Sequence, residues 1–433
     1  MKTKILLLIS SLILTGNLLT QQWVNNYDFQ SSYSGYSVVM MQFLNANTGF
    51  VNMRNSAGSV KMLKTTNKGN SWNEISSFNM YTNTESRPFF VFVNENTGYR
   101  AHSISEGSLR TILDKTTNGG YTWTRKINYI SIEGYFPLIC FKNTNQGYLV
   151  FSEMGEGQNN VWAYSTGDGF ETSSNTYSLG TVFQRNFRLY DIFLDQNQKV
   201  HAVGRVKNTS TSNYDFFRLS EVTNFVPSYG DPPAGTFNEF KFGVSLNNQL
   251  RYLGVENNIN NPNFGTRFFF DVYPSNSILI DPQRDGDKVG GMTFSDNSRG
   301  FVTADKNVYF TNNGGSNWSQ EYTMSSGNSS VLGSKLESIG DVCYAMSYPG
   351  KFYTREIMGN FNTNFDWRGG LSGSIAVNGI NLGTPGSGYF SGGNTAVYAN
   401  PVLVTGGDSS AIFYYWGGNC NGSMNYSANT ELI

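Results

Sequence analysis

Residues 116–123 read TTNGGYTW, residues 65–72 read TTNKGNSW and residues 311–318 read TNNGGSNW. Each stretch places small polar residues and glycine between two apolar runs with the composition of strands, and each ends on a tryptophan. The Asn-Gly pairs favour turns with positive φ, which suit tight connections between antiparallel strands. A hairpin turn that recurs at long intervals is typical of a radially repeated β architecture.

A second motif recurs upstream of these turns and gives the period of the repeat. It reads FLNANTGF at 43–50, FVNENTGY at 92–99, FKNTNQGY at 141–148 and FSDNSRGF at 294–301. The first three glycines, Gly49, Gly98 and Gly147, are 49 residues apart. Units of this length suit four short antiparallel strands each.

The repeat therefore predicts an all-β fold, a β-propeller of four-stranded antiparallel blades. Weaker strand patterns at 192–203, 242–252 and 342–345 fill the spacing between and after the clear motifs. A further unit at 374–390 raises the count to eight candidate blades, and seven remains an alternative. Because an open sheet edge exposes unpaired backbone groups, we expect residues near Trp23 to pair with the last blade, whose unit ends at 411–416.

The turns resemble the Asp box, or BNR repeat, of sialidase-like propellers, which reads Ser/Thr-x-Asp-x-Gly-x-Ser/Thr-Trp. Asparagine replaces the aspartate in all three copies, and a fourth copy at 165–172 lacks the tryptophan. The residues that match the box are Thr65, Asn67, Gly69, Ser71, Trp72, Thr116, Asn118, Gly120, Thr122, Trp123, Thr311, Asn313, Gly315 and Trp318. With the upstream motif, the units are most similar to the propellers of the photosystem II assembly factor group of Ycf48 and Hcf136 and their secreted bacterial relatives.

This resemblance implies structural turns, on the propeller face away from the usual ligand site. The leading hypothesis is a non-catalytic propeller that binds a protein or glycan ligand at one face of its central channel. One alternative is a sialidase-like glycoside hydrolase, which would need three converging arginines, a Tyr-Glu pair and an Arg-Ile-Pro motif. The nearest string here is Arg87-Pro88, without the isoleucine. A second alternative is a surface-display or structural module of an exported bacterial protein.

The composition is that of an exported β protein without a strong electrostatic field. The chain has 30 basic and 31 acidic side chains, and aromatic residues (15%) outnumber charged ones (14%). Without a basic block, nucleic-acid binding is not expected, and we expect a monomer.

The N-terminus has the pattern of a signal peptide. Lys2 and Lys4 precede an apolar run at 5–14 that is too short to span a membrane. We expect a signal peptide at 1–20, a single propeller domain at 21–416, a C-terminal tail at 417–433, and no transmembrane segment. The mature protein is then expected to be secreted or at the cell surface.

Residue types that could carry catalysis or bind metal are few. Cys140 and Cys343 lie in predicted strands and are interpreted as buried apolar residues, although a Cys343–Cys420 disulfide stays open. His102 and His201 lack a metal-ligand spacing and are interpreted as structural. Residues 281–288 contain three aspartates that could bind Ca²⁺ but lack the late glutamate of an EF-hand loop. The sequence therefore predicts no metal site, no cofactor and no catalytic residue.

Overall fold

The computed structural model shows an all-β chain. The structure describes residues 23–81, 89–106, 109–130, 134–155, 158–172, 175–183, 185–208, 214–223, 228–229, 238–256, 265–270, 277–281, 289–325, 336–340, 342–356, 358–361, 374–377, 380–381, 388–391 and 397–400.

The strands of the first four blades follow one another along the chain, and each blade is a four-stranded antiparallel sheet. Blade 1 contains β2 (Tyr36–Phe43), β3 (Gly49–Asn55), β4 (Ser59–Thr65) and β5 (Asn73–Asn79). Blade 2 contains β6 (Phe89–Phe92), β7 (Gly98–Ser105), β8 (Leu109–Thr116) and β9 (Thr124–Ile130). Blade 3 contains β10 (Gly134–Phe141), β11 (Gly147–Gly155), β12 (Gln158–Thr166) and β13 (Asn175–Phe183). Blade 4 contains β14 (Arg185–Leu194), β15 (Val200–Asn208), β16 (Tyr214–Ser220) and β17 (Ser228–Tyr229).

The last three blades include the strand that closes the ring. Blade 5 contains β18 (Asn238–Leu246), β19 (Gln249–Glu256), β20 (Gly265–Phe269) and β21 (Ser277–Asp281), and blade 6 contains β22 (Val289–Phe294), β23 (Gly300–Ala304), β24 (Asn307–Thr311) and β25 (Ser319–Thr323). Blade 7 contains β26 (Leu336–Ile339), β27 (Val342–Ser347) and β28 (Lys351–Glu356), and its outer strand is the N-terminal β1 (Val24–Asp28).

The chain is thus a seven-bladed propeller, which is the alternative that the sequence left open beside eight candidate blades. In the residues described after Glu356, the strands of the candidate eighth unit form one two-stranded and one three-stranded sheet. Its strands belong to a second compact unit, where β29 (Met358–Phe361) pairs with β32 (Gly388–Ser391), and β30 (Ser374–Val377) pairs with β31 (Ile380–Asn381) and β33 (Val397–Asn400). The ring needs no eighth blade because β1 completes the seventh sheet.

The N-terminal strand pairs with the last blade, as expected, but the last blade lies earlier in the sequence than predicted. Strand β1 pairs antiparallel with β28, with Val24 opposite Thr354 and Asp28 opposite Lys351. The last blade therefore lies at 336–356 and not among the final residues of the chain. Trp23 is buried, with its ring 6.3 Å from that of Tyr322 and 5.8 Å from that of Phe301 in blade 6.

Several predictions fall outside the described residues: the signal peptide at 1–20, Arg87-Pro88, Cys420, and the tail at 417–433. The boundary of the propeller domain at residue 416 also stays a prediction. Of the possible Ca²⁺ loop, only Asp281 is described; it is buried and accepts a hydrogen bond from the Tyr309 hydroxyl at 2.7 Å.

Stacked aromatic rings fill the junctions between blades. The Phe92 ring of blade 2 stacks on Phe50 of blade 1 with centroids 3.6 Å apart. The same stack joins Phe141 to Tyr99 at 3.7 Å and, where the ring closes, Phe43 to Tyr344 at 3.7 Å. Such parallel contacts bury large apolar areas between blades.

The repeated glycine makes room for these stacked rings. A Cβ atom added to Gly98 would lie 2.7 Å from the Phe92 ring, and one added to Gly49 would lie 2.7 Å from Phe43. Any side chain there would push the ring out of its stack. The motif Phe-x5-Gly-aromatic in the sequence is therefore a packing unit that spans two blades.

In two junctions, a polar side chain of one blade hydrogen-bonds the backbone of the stacked phenylalanine in the next blade. Gln42 accepts a hydrogen bond from Phe92 N at 2.7 Å and donates one to Phe92 O at 3.0 Å. Where the ring closes, Glu337 of blade 7 accepts a hydrogen bond from Phe43 N at 2.7 Å. Gln42 lies opposite Phe50 and Glu337 opposite Tyr344, so the two side chains occupy equivalent positions.

Substitution of Gly98 by alanine tests the packing unit. We expect Gly98→Ala to destabilise the protein by ~1–3 kcal/mol, because the added methyl group overpacks the junction. Gly167→Ala is the matched control, since a Cβ there meets no atom within 4 Å. Urea unfolding measures both variants; equal stabilities would contradict the packing explanation.

The closing junction gives a pH-dependent prediction. Part of the Glu337 side chain is exposed, but burial of its carboxyl group raises its pKa from 4.5 to about 8. A raised carboxyl pKa stabilises the fold fully below pH 4.5, and this contribution is lost as the pH rises toward 8. Glu337→Gln should keep the bond to Phe43 N, because Gln42 makes the equivalent bond to Phe92 N. Since glutamine does not ionise, the variant should not lose stability as the pH rises.

We therefore expect the stability of Glu337→Gln relative to the parent chain to increase between pH 5 and pH 9 by on the order of 1–2 kcal/mol. Denaturant unfolding at both pH values measures this difference. A stability difference that does not change with pH would show that the carboxyl group titrates normally.

Candidate functional site

The turns that resemble Asp boxes are closed by their own side chains. In blade 1 the Thr65 hydroxyl accepts a hydrogen bond from Gly69 N at 3.0 Å and donates one to Asn67 Oδ1 at 2.9 Å. Asn67 Oδ1 also accepts a bond from Ser71 N at 3.0 Å. The amide oxygen thus performs the role that a carboxylate oxygen has in the box.

The same bonds recur in the other copies. In blade 2, Gly120 N donates to Thr116 Oγ1 at 3.0 Å and Thr122 N donates to Asn118 Oδ1 at 3.0 Å. In blade 6, the Thr311 hydroxyl accepts a bond from Gly315 N at 3.1 Å and donates one to Asn313 Oδ1 at 2.9 Å. The candidate box residues of each turn are therefore together in space, within their own blade.

The three tryptophans lie at equivalent positions. The ring of Trp72 is 6.0 Å from that of Phe43, Trp123 is 6.0 Å from Phe92, and Trp318 is 6.0 Å from Phe294, each edge to face. Each tryptophan thus covers the edge of a ring that marks a blade junction.

In the fourth turn, a phenylalanine from a different position of the turn makes the contact that the tryptophan makes in the other three. Phe170 stands where the other turns have the box glycine, and its backbone has the positive φ, 61°, that this position requires. Its ring meets Phe141 at 6.1 Å, edge to face, as the tryptophans meet their phenylalanines. The cost of a left-handed backbone at a phenylalanine is offset by the burial of its ring.

Each turn is fixed to the inner hairpin of its own blade, the connection between the first two strands. Lys68 N donates to Asn47 O at 3.1 Å, Gly119 N to Asn96 O at 2.8 Å, and Gly169 N to Asn145 O at 2.7 Å. The turns and the inner hairpins therefore form one end of the propeller.

The first asparagine of each inner hairpin has a structural role. Asn45 Oδ1 accepts hydrogen bonds from Asn47 N at 2.9 Å and Thr48 N at 2.8 Å. Asn94 and Asn143 make the same pair of bonds in blades 2 and 3. These bonds close the hairpin and explain why an asparagine stands there.

The second asparagine of each hairpin has no such role. Asn47, Asn96 and Asn145 are exposed, and their side-chain amides make no hydrogen bond to any residue that the structure describes. Their backbones are not among those with positive φ, so the turn does not need asparagine. We call these three residues the amide arc. Their 49-residue spacing was visible in the sequence, but their lack of a structural role was not.

The carboxylates of Glu95 and Glu171, beside the arc, are held by hydrogen bonds. Glu95 accepts hydrogen bonds from Thr48 Oγ1 at 3.2 Å and Asn45 Nδ2 at 3.5 Å, which join blade 2 to blade 1. Glu171 bonds Lys115 at 2.8 Å and Lys126 at 2.5 Å, and these bonds, Lys115 first, lower the pKa of its carboxyl group. Lys64 Nζ lies 3.7 Å from where a Cβ on Gly119 would be, so charges of both signs flank the amides of the arc.

The arginines that the structure describes with a carboxylate partner lie in different places. Arg100 pairs with Asp114 at 2.9 Å between the rings of Phe78 and Trp123, and Arg125 lies 3.7 Å from the same carboxylate. Arg299 pairs with Asp296 at 2.6 Å in blade 6, and Arg355 of blade 7 pairs with Glu321. These ion pairs lie in blade 2, in blade 6 and between blades 6 and 7.

Both histidines and the two described cysteines, Cys140 and Cys343, lie inside the blades. His102 is buried, and burial, with Arg100 and Arg125 nearby, lowers its pKa to about 3. His201 lies 3.1 Å from Asp195. Cys140 and Cys343 are buried, which raises the pKa of each thiol to about 12.

Metal-ligand groupings and membrane-spanning helices were sought in the part of the chain that the structure describes. In that part, no group of three or more His, Cys, Asp or Glu side chains could hold a metal ion. Within the same residues, no helix is long and apolar enough to cross a membrane.

Comparison with known proteins supports the fold. No family model matches the chain, and no curated protein does. Among solved structures, an ulvan lyase, which is a polysaccharide lyase, has a TM-score of 0.50 at 8% identity and covers 78% of this chain and 96% of its own. A structure of an ulvan lyase bound to -[GlcA(1-4)Rha3S]- has a TM-score of 0.50 at 9% identity, with the same coverage.

YCF48 bound to a D1 peptide has a TM-score of 0.49 at 14% identity and covers 78% of this chain and 97% of its own. At identities of 8% and 9%, the likeness to the two ulvan lyase structures shows the β-propeller fold alone. Membership of the Asp-box, sialidase-like group stays a prediction.

Proposed function

We propose that this chain is a non-catalytic propeller whose amide arc binds a glycan. One observation carries the proposal: Asn47, Asn96 and Asn145 are exposed at the same register of three consecutive blades, and neither a hydrogen bond nor the backbone conformation accounts for them. Polar side chains without a structural role on well-ordered loops are candidates for recognition.

The chemistry of the arc favours sugars. A carboxamide offers an acceptor oxygen and two donor hydrogens, so it can bond a hydroxyl group in either direction. Three such groups on successive blades suit a ligand that also repeats, as a polysaccharide does. Because charges of both signs flank the arc, it has little net attraction for an anionic partner.

The proposal places the ligand at the end of the propeller that carries the box turns. The resemblance to sialidase-like propellers implies the opposite end. We prefer the box-turn end because the unexplained polar groups lie there. The proposal includes export through the signal peptide at 1–20 and action as a monomer outside the cytoplasm; a protein ligand at the channel face is the alternative.

The triple variant Asn47→Ala, Asn96→Ala, Asn145→Ala tests the proposal. We expect it to bind glycan roughly 10- to 1,000-fold more weakly, since each of the three lost hydrogen bonds contributes on the order of 0.5–1.5 kcal/mol. Affinity electrophoresis in gels containing laminarin, galactomannan, xylan or dextran measures the binding.

The matched control is Asn79→Ala, since Asn79 is also exposed but lies at the opposite end of blade 1. It should bind as the parent chain does. Retention of all four polysaccharides at the parental level by the triple variant, or binding of none of them by the parent chain, would contradict the proposal.

A further inference from the structure

We infer that Tyr121 is the stacking platform of a sugar subsite in blade 2, and that the sugar bound there is neutral. This inference rests on the proposed glycan-binding function and names one subsite of it and the class of sugar. The observations are the exposure of Tyr121, its rigid attachment beside Asn96 of the amide arc, and the carboxylate of Glu95 in the same hairpin.

Tyr121 takes no part in building its turn. The bonds that close the turn come from Thr116, Asn118 and Thr122, and Tyr121 lies between them with 61% of its surface exposed. The equivalent residue in blade 1, Asn70, accepts a hydrogen bond from Asn26 at 3.2 Å, and in blade 3 Glu171 pairs with two lysines. Blade 2 alone among the box-like turns has an aromatic ring at this place.

The turn that carries Tyr121 is held firmly against the arc. Gly119 N donates to Asn96 O at 2.8 Å, and a Cβ added to Gly119 would lie 2.9 Å from Glu95 O. The two loops are therefore in close backbone contact at Gly119, and Tyr121 follows two residues later in the same hydrogen-bonded turn. A site with rigid supports loses little entropy on binding.

These groups together suit a pyranose ring. The exposed face of a tyrosine ring can pack against the apolar C–H face of a sugar, which also presents hydroxyl groups at its edge. The Asn96 amide can bond those hydroxyls as donor or acceptor. Glu95, kept in place by Asn45 and Thr48, offers acceptor oxygens only and so favours hydroxyl donors. Lys64 Nζ also lies near Gly119, so a carboxylate and an ammonium flank the site and give it little net attraction for a sugar carboxylate.

The variants Tyr121→Ala and Tyr121→Phe test the subsite. The probes are galactomannan, laminarin, xylan and dextran. For each glycan that the parent chain binds, we expect Tyr121→Ala to weaken the affinity roughly five- to tenfold. Tyr121→Phe should change the affinity less than twofold, because the face of the ring makes the contact. Because Tyr121 is exposed, both variants should unfold at the parental temperature. Polygalacturonate, the anionic probe, should bind at least tenfold more weakly than the neutral glycan.

The outcomes separate this inference from the proposed function. If the triple arc variant loses binding while Tyr121→Ala keeps it, the subsite is wrong and the function stands. If the parent chain binds none of the neutral glycans, both fall. If polygalacturonate binds as tightly as the neutral glycans, the assignment to neutral sugars is wrong.

Discussion

The fold depends on a phenylalanine ring held between a glycine of its own blade and an aromatic ring of the preceding blade. Phe92 illustrates it, with Gly98 on one side and Phe50 at 3.6 Å on the other. Because the glycine has no side chain, the ring can lie flat, and because it lies flat, two blades can approach closely. The same unit, Phe43 on Tyr344, joins the last blade to the first.

This contact also places the surface loops. The phenylalanine is the last residue before the inner hairpin, and the tryptophan of the box turn covers its edge. The hairpin and the box turn are thereby fixed to the junction and, through bonds such as Gly119 N to Asn96 O, to each other. The side chains of the amide arc are therefore held at the surface, although they make no bond that stabilises the fold. Blade 3 keeps this arrangement with Phe170 in place of a tryptophan, so the aromatic contact matters more than the residue that provides it.

Much of this fold could be predicted from the sequence, because each blade repeats the same local solution. The phenylalanine, glycine and tryptophan positions recur at a spacing that identifies strands and turns in blades 1, 2, 3 and 6. The sequence predicted that the N-terminal strand pairs with the last blade, but not which strand it pairs with. A strand pattern alone does not show that β1 completes the sheet of β28. The strands after Glu356 have the same composition as blade strands, so their separate pairing has no signal in the sequence.

The candidate site could not be predicted in the same way. The first and second asparagines of a hairpin such as Asn45 and Asn47 look alike in sequence, and only the hydrogen bonds distinguish the structural residue from the unassigned one. Hydrogen–deuterium exchange with and without a glycan that the protein binds tests the account most directly. When the glycan is bound, we expect slower exchange in residues 44–48, 93–97, 116–123 and 142–146. Exchange should not change at 55–59, the connection at the other end of blade 1. Slower exchange at 55–59 with none in the inner hairpins would contradict it.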